Sequence, residues 1–292
     1  MTLLQRETPF PHWEFTAANG DQLRVVPERG GLVCGWRCGG VERLYFDAER
    51  FADPTNSVRG GIPVLFPVCG NLPDGQLQLP QGRFVMAQHG FARDLPWQLE
   101  ALDDGAGIRL LLRDSPATRA QYPFAFALSL EVRLERDALA LCAQVRHEVG
   151  AEGGAAAPEG ALAPEMPFAF GLHPYFAVPE LAAAALEGLP EVCFDHLSGG
   201  TTATADQTQR LEQGVDLRVD GSAFAPTLIT APGGSRLSLE LEASFDHAVI
   251  WTDPPRPMVC LEPWTARRGE LGLSLASGEE RTLRCRYRLS CS

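Results

Sequence analysis

Phe126-Ala-Leu-Ser-Leu-Glu-Val-Arg-Leu-Glu135 is followed by Arg-Asp and then by Ala138-Leu-Ala-Leu-Cys-Ala-Gln-Val145. In the first run Phe126, Leu128, Leu130, Val132 and Leu134 hold every second position; in the second Leu139, Leu141, Ala143 and Val145 do the same. Successive side chains of a strand point to opposite faces, so a period of two puts each apolar set on one face of a half-buried strand. Glu135 to Asp137 supply the turn between them, and the pair reads as a hairpin.

Working outward, the same period recurs at the end of the chain, where Leu283, Cys285, Tyr287 and Leu289 alternate with Arg284, Arg286 and Arg288. Leu237, Leu239 and Leu241 alternate with Ser238, Glu240 and Glu242, and shorter strand candidates occur near Trp13 to Ala17, Leu32 to Cys38, Ile108 to Arg113 and Ala248 to Trp251. Helical periodicity is scarce; the alanine-rich Pro179 to Leu189 is expected to form one short helix. Many short strands punctuated by Gly and Pro predict an all-β fold, a large antiparallel β-sandwich.

At 292 residues the length suggests two domains, yet sandwiches of about 200–250 residues fold as one. Gly150 to Pro164 (GAEGGAAAPEGALAP) has nothing large to bury and reads as a mobile surface loop. Strand-like segments of one kind flank it, so residues 1–292 read as a single domain. A chain this long buries about three quarters of its surface and needs neither disulfide nor metal to hold a core.

All 25 basic residues are arginine and none is lysine. Schiff-base aldol chemistry, pyridoxal-phosphate catalysis and a lysine-bearing phosphate loop are thereby excluded. The formal charge of −12 disfavours a nucleic-acid partner, which requires a basic stripe. No apolar run approaches the ~18 residues of a membrane span, and the opening MTLLQRETPF lacks a signal-peptide stretch, so a soluble cytoplasmic protein is expected, with no membrane partner. The eight cysteines are expected to stay reduced; Cys34 and Cys38 are the closest pair, and no CxxC or HExxH spacing predicts a metal site. Cys285 reads as a small core residue, while Cys69 lies beside a Gly/Pro-rich loop.

Five loop-like segments concentrate the residue types that do chemistry. In Asn56-Ser-Val-Arg59-Gly-Gly-Ile-Pro-Val-Leu-Phe-Pro-Val-Cys-Gly70, Arg59 precedes a rigid turn and can aim its donors into a cleft, although Gly and Pro mark ordinary loops as well. Gln88-His89-Gly-Phe-Ala-Arg93-Asp94 brings a His and an Arg beside a glycine, where a hydrogen-bonded structural His reads the same way. In Phe170-Gly-Leu-His173-Pro-Tyr-Phe176 an imidazole sits in an apolar context, which suits a general acid. Met258-Val-Cys-Leu-Glu262-Pro-Trp264 carries a carboxylate that is costly to bury unless it is paired or used as a base with a raised pKa. Gly214-Val-Asp216-Leu-Arg218 offers either a hydroxyl-binding carboxylate or a surface charge pair. GxSxG, HExxH and a strand-borne GxGxxG are all missing from the sequence.

Taken in order, RGGIPVLFP, QHGFARDLPW, FGLHPYF and VCLEPW resemble the aldose 1-epimerase (galactose mutarotase) superfamily, including its hexose-6-phosphate 1-epimerase branch. The resemblance runs from Arg59 to Trp264 and implies a galactose mutarotase-like β-sandwich. It implies Glu262 as the general base at the anomeric hydroxyl and His173 as the general acid at the ring oxygen, with Arg59 and His89 as substrate-binding positions. Asp216 joins them only through the short Asp-Leu-Arg context. It also implies interconversion of α and β anomers of a hexose, by deprotonation of O1, protonation of O5, rotation and reclosure, with no cofactor and no metal. Each correctly placed acid or base contributes about 10²–10⁴-fold to such a reaction. Trp264 or Phe66 is available as an aromatic surface for a sugar, and equally as core.

The continuation VLFPVCGNLPDG looks closer to members acting on free sugars, so a free hexose is the first expectation and a hexose 6-phosphate the second. A phosphate would need Arg93 beside Arg59, since no lysine exists to help. The reading from another class is a carbohydrate-binding protein without turnover. A small-molecule sugar is the expected partner, and the chain is expected to be a monomer or homodimer.

Overall fold

The computed structural model describes residues 2–149, 164–221 and 223–290. The loop expected at residues 150–164 therefore lies, apart from Pro164, outside the described residues. Two large antiparallel sheets face each other. The first runs Ala185–Glu187, Thr227–Ile229, Arg236–Leu241, Glu280–Ser290, Ala138–His147, Phe126–Glu135, Gly107–Arg113, Gln98–Ala101. The second runs Gly200–Ala203, Val192–Asp195, Asp216–Asp220, His247–Trp251, Met258–Trp264, Gly171–Leu172, Val64–Leu65, with Tyr175–Ala177 also paired to Met258–Trp264. A smaller N-terminal sheet joins Thr2–Arg6, His12–Thr16, Gln22–Val26, Leu32–Cys38 and Val41–Glu42 in sequence order. The all-β antiparallel expectation holds.

The period-two runs explain how the first sheet is built. Phe126–Glu135 and Ala138–His147 pair with Leu134 opposite Leu139 and Leu128 opposite Val145, and the alternate apolar residues of both strands are buried. On the outer face Arg284 meets Glu242, Arg286 meets Glu135 and Glu240, and Arg288 meets Glu240. Exposed pairs of this kind contribute about 0–1 kcal/mol each, so the sheet is held by its inner face. That face belongs to one contiguous apolar cluster, in which Leu128, Leu139 and Tyr287 meet Leu217, Ile250 and Leu261 of the second sheet and Phe15, Leu23 and Trp36 of the third.

The short helix expected over Pro179 to Leu189 is not formed. Leu181–Ala183 make a single 3-10 turn, and Ala185–Glu187 form an edge strand on Thr227–Ile229. Eleven residues are too few for alanine propensity to sustain a helix by itself, and the open edge of the first sheet offers ladder hydrogen bonds instead. The seven described cysteines are free thiols, and Cys285 is buried in the main apolar cluster.

Tyr287 ties the two large sheets together. Its hydroxyl donates to the carbonyl of Leu261 at 2.7 Å, and its ring lies 4.8 Å from that of Phe176. Both partners border the strand and turn that carry the candidate site. Because the acceptor is buried, Tyr287→Phe is expected to lower stability by about 1–3 kcal/mol, read as a lower urea midpoint with an unchanged slope.

Candidate active site

The site is laid out by strand register. Met258–Trp264 is buried along its whole length. Its odd-numbered Val259 and Leu261 join the main core, whereas Met258, Cys260 and Trp264 lie in separate clusters on the other face. Period two places Glu262 with that second set. The neighbouring chain pairs Gly171 with Trp264 and Tyr175 with Cys260 in one common register. His173 consequently stands directly opposite Glu262, even though its own backbone N–H leaves the ladder to bond the carbonyl of Pro63 at 3.0 Å. Directly opposed residues have Cβ atoms about 4.5–5.5 Å apart, close enough for the side chains to meet. They do: His173 Nε2 lies 3.4 Å from Glu262 Oε1.

Aromatic rings enclose this pair. Tyr175, two residues on, stacks on the His173 ring at 4.7 Å, and Trp251 meets it edge-on at 5.7 Å. Trp264 donates its Nε1–H to Glu262 Oε2 at 3.1 Å. With Glu262 1% and His173 9% exposed, neither group can be solvated as an ion. Burial, reinforced by the charge of Asp216, pushes the Glu262 carboxyl well above the ordinary carboxylate range, against the weaker opposing pull of Trp264 and Arg268. Burial, then the positive charges of Arg93 and Arg59, pull His173 down to about 3. Both shifts act in the same sense, against the ionised form of either group.

His89 is held in a strained backbone conformation at φ 68°, with the following Gly90 at φ 73°. A Cβ on residue 90 would lie 2.1 Å from the carbonyl oxygen of Phe66, so only glycine lets the loop settle on the Pro63–Gly70 segment. His89 Nδ1 accepts the Gly70 N–H at 3.0 Å, which fixes the tautomer and leaves Nε2 to carry the proton. Burial above all, with the positive charges of Arg93, Arg268 and Arg59 nearby, holds His89 neutral. Arg268 lies across Gly70, where a Cβ would meet its Cγ at 2.4 Å, and its Nη2 reaches both carboxylate oxygens of Asp216 at 3.0 and 3.2 Å.

His173, Glu262, Arg59, His89 and Asp216 therefore line a single cleft of about 160 Å³, together with Arg93, Arg268, Tyr175, Trp251 and Trp264. Arg59 bonds Ser57 Oγ at 3.1 Å, approaches Asp253 at 3.5 Å and sits over Trp251. Arg93 has only a 3.8 Å contact with Asp94, and its buried Nε has no hydrogen-bond partner among the described residues. Phe66 is not part of the cleft; it packs in the core against Phe91, Tyr122, Phe126 and Phe168. Sequence reasoning missed Arg268 and Trp251. Arg268 follows the Glu-Pro-Trp motif in an Arg-Arg doublet that reads as exposed charge, and its partner Asp216 is 52 residues away.

Among the described residues no helix is long and apolar enough to cross a membrane. The family model for aldose 1-epimerase matches residues 15–288. A Salmonella typhimurium protein provisionally named glucose-6-phosphate 1-epimerase is 27% identical over 195 residues; the match takes in 63% of this chain and 57% of that protein's length. Protein LacX of Lactococcus lactis is 25% identical over 288 residues, covering 89% of this chain and 85% of its own. Among solved structures, the Slr1438 protein of Synechocystis sp. PCC 6803 superposes with a TM-score of 0.86 at 30% identity, covering 96% of each chain. A galactose mutarotase-like protein of Clostridium acetobutylicum shares the fold with a TM-score of 0.77 at 17% identity, over 100% of this chain and 99% of its own. With its antiparallel sheets, its His and Glu set opposite each other on one sheet face and a family match over nearly its whole length, the chain belongs to the aldose 1-epimerase family.

Proposed function

We propose that the cleft interconverts the α and β anomers of a hexose, and that the preferred hexose carries a phosphate. The observation that carries the first part is the buried His173–Glu262 pair, an imidazole and a carboxyl group 3.4 Å apart in one cleft. Ring opening needs a proton removed from O1 while another is delivered to O5. In the form that opens the ring, Glu262 is the carboxylate that accepts the O1 proton and His173 the imidazolium that gives one to O5. Reclosure on the other face runs the same transfers backwards and restores both groups. A binder without turnover would have no need to bury this pair at the energetic cost its displaced titration implies.

The phosphate reading rests on Arg59 and Arg93, which line the same small cleft as the pair. The VLFPVCGNLPDG continuation puts the free sugar first by sequence alone, with Arg59 and Arg93 as the candidates for a phosphate; both of these arginines line the cleft. Guanidinium groups match phosphate geometry with paired donors, and the one ion pair of Arg93 among the described residues is a long contact from Nε to Asp94 at 3.8 Å. Both arginines also depress His173, so a phosphate dianion beside them would cancel that field and favour the protonated imidazole. The free-sugar reading keeps one supporting observation: Asp253 and Asp94 already stand beside the two guanidiniums.

Anomer exchange followed by NMR is expected to accelerate for glucose 6-phosphate more than for glucose, and polarimetry of either sugar at the buffer rate would end the epimerase reading. Arg93→Gln is expected to lower kcat/KM for the phosphorylated sugar by roughly 10- to 150-fold, the worth of a charge-assisted hydrogen bond, and to leave free glucose within threefold.

Glu262→Gln and His173→Asn are each expected to lose about 10²–10⁴-fold in exchange rate while keeping the fold. Their stabilities should diverge with pH. A carboxyl whose pKa is raised by folding stabilises fully below its unfolded value near 4.3 and loses that contribution as pH rises through its folded value. Gln cannot ionise, so Glu262→Gln should melt no lower than wild type at pH 7, and its advantage should shrink towards pH 4. A clear loss of melting temperature at pH 7 would contradict the burial argument.

A further inference from the structure

Behind the His173–Glu262 pair lies one buried thiol that the proposed reaction leaves unused. Cys260 precedes Glu262 by two positions on the same strand and projects to the same face. Its thiol touches only the Met258 thioether, at 3.8 Å, among the hydrogen bonds described for it. One ligand atom from each of His173, Cys260 and Glu262 lies within 4.8 Å of the others, and all three residues are buried.

The spacing can be compared with what a metal requires. Bonds of about 2.0–2.2 Å to nitrogen and oxygen and about 2.3 Å to sulfur, at a tetrahedral angle, separate ligand atoms by roughly 3.4–3.6 Å. His173 Nε2 and Glu262 Oε1 already stand at 3.4 Å, so the thiol alone must close by about an ångström, a displacement within reach of a side-chain rotation. An imidazole, a thiolate and a carboxylate make a borderline-soft donor set, suited to zinc and cobalt and not to magnesium or calcium. A divalent ion with one thiolate and one carboxylate is also electrically neutral overall, and a neutral complex avoids the cost of burying charge.

We infer that, when no sugar is bound, His173, Cys260 and Glu262 capture a thiophilic divalent cation of the zinc type, which blocks the cleft. The capture itself stands on the geometry of these residues; the inhibition rests on the epimerase reading above. Binding displaces the Cys260 thiol proton, and any proton on Glu262, into solvent, and involves no change of oxidation state. Sugar and metal compete for the same two groups, so each weakens the other.

Cobalt(II) is the direct probe, because a thiolate ligand gives it an intense charge-transfer band in the near ultraviolet that nitrogen and oxygen ligands do not. The wild-type protein, freed of metal with EDTA, is expected to develop that band at one equivalent, and zinc should abolish it by displacement. Cys260→Ala and Cys260→Ser should lack the band, keep anomer exchange close to wild type in EDTA, and need at least ~10-fold more zinc for half-inhibition, given that even outer-shell losses at metal sites cost 10–100-fold. Using both variants guards against a folding defect in one. No band in the wild type, or a band and a zinc sensitivity unchanged in both variants, would overturn the proposal. A band without any epimerase activity would retain the metal site and reject the activity, so the two failures are distinguishable.

Discussion

The cross-strand opposition of His173 and Glu262 is the constraint around which the rest is arranged. A carboxyl and an imidazole can be buried together only if they share a proton or each other's charge, and here the sheet register brings them to 3.4 Å. That register is imposed on both sides of the pair, by Gly171 opposite Trp264 and Tyr175 opposite Cys260. Between those points the ladder is interrupted, for His173 gives its N–H to Pro63 and the next residue is a proline with none to give. The interruption frees the imidazole to turn towards Glu262 without losing the alignment. What keeps the alignment rigid is the opposite face of the same strand, where Val259 and Leu261 enter the main core and the Leu261 carbonyl is held by Tyr287.

Rigidity matters because the chemistry proposed for the pair is positional. Proton transfer to and from two oxygens of one ring requires an acid and a base that do not drift, and the aromatic box of Tyr175, Trp251 and Trp264 allows His173 and Glu262 little rotational freedom. Burial within that box is the largest cause of both displaced titrations, although the Trp264 hydrogen bond opposes it at Glu262. An exposed pair would ionise to imidazolium and carboxylate in water and gain nothing from substrate; this one is held neutral until something in the cleft replaces the missing solvation.

Much of this was legible in the sequence, and the boundary has a physical origin. Period-two alternation identified the hairpin of 126–135 and 138–147 and the strand 280–290, because one face of each is buried and the other wetter. The loop motifs named His173, Glu262, Arg59 and His89, and all four reach one cleft with Asp216. The alanine run at 179–189 misled, since propensity is a weak local prior and the edge of a sheet a strong tertiary offer. The register of two segments about ninety positions apart was invisible, and with it the pairing of His173 to Glu262. Arg268 was missed for a related reason: its meaning depends on Asp216 and on the bare backbone of Gly70 beneath it, neither of which is a neighbour in sequence.

The absence of lysine bears on this arrangement. Every cation in the cleft is a guanidinium, which keeps its charge at any pH the protein meets, so the field on the pair cannot be titrated away. That field is uneven. At the Glu262 end Asp216 and Arg268 neutralise each other, and their effects on the carboxyl oppose. At the His173 end Arg59 and Arg93 act in the same direction, holding the imidazole neutral. An anion seated between those two arginines would remove the imbalance from the one end where it exists. Because guanidinium charge does not titrate away, the field that holds the imidazole neutral persists at every pH at which the proposed proton transfers would run.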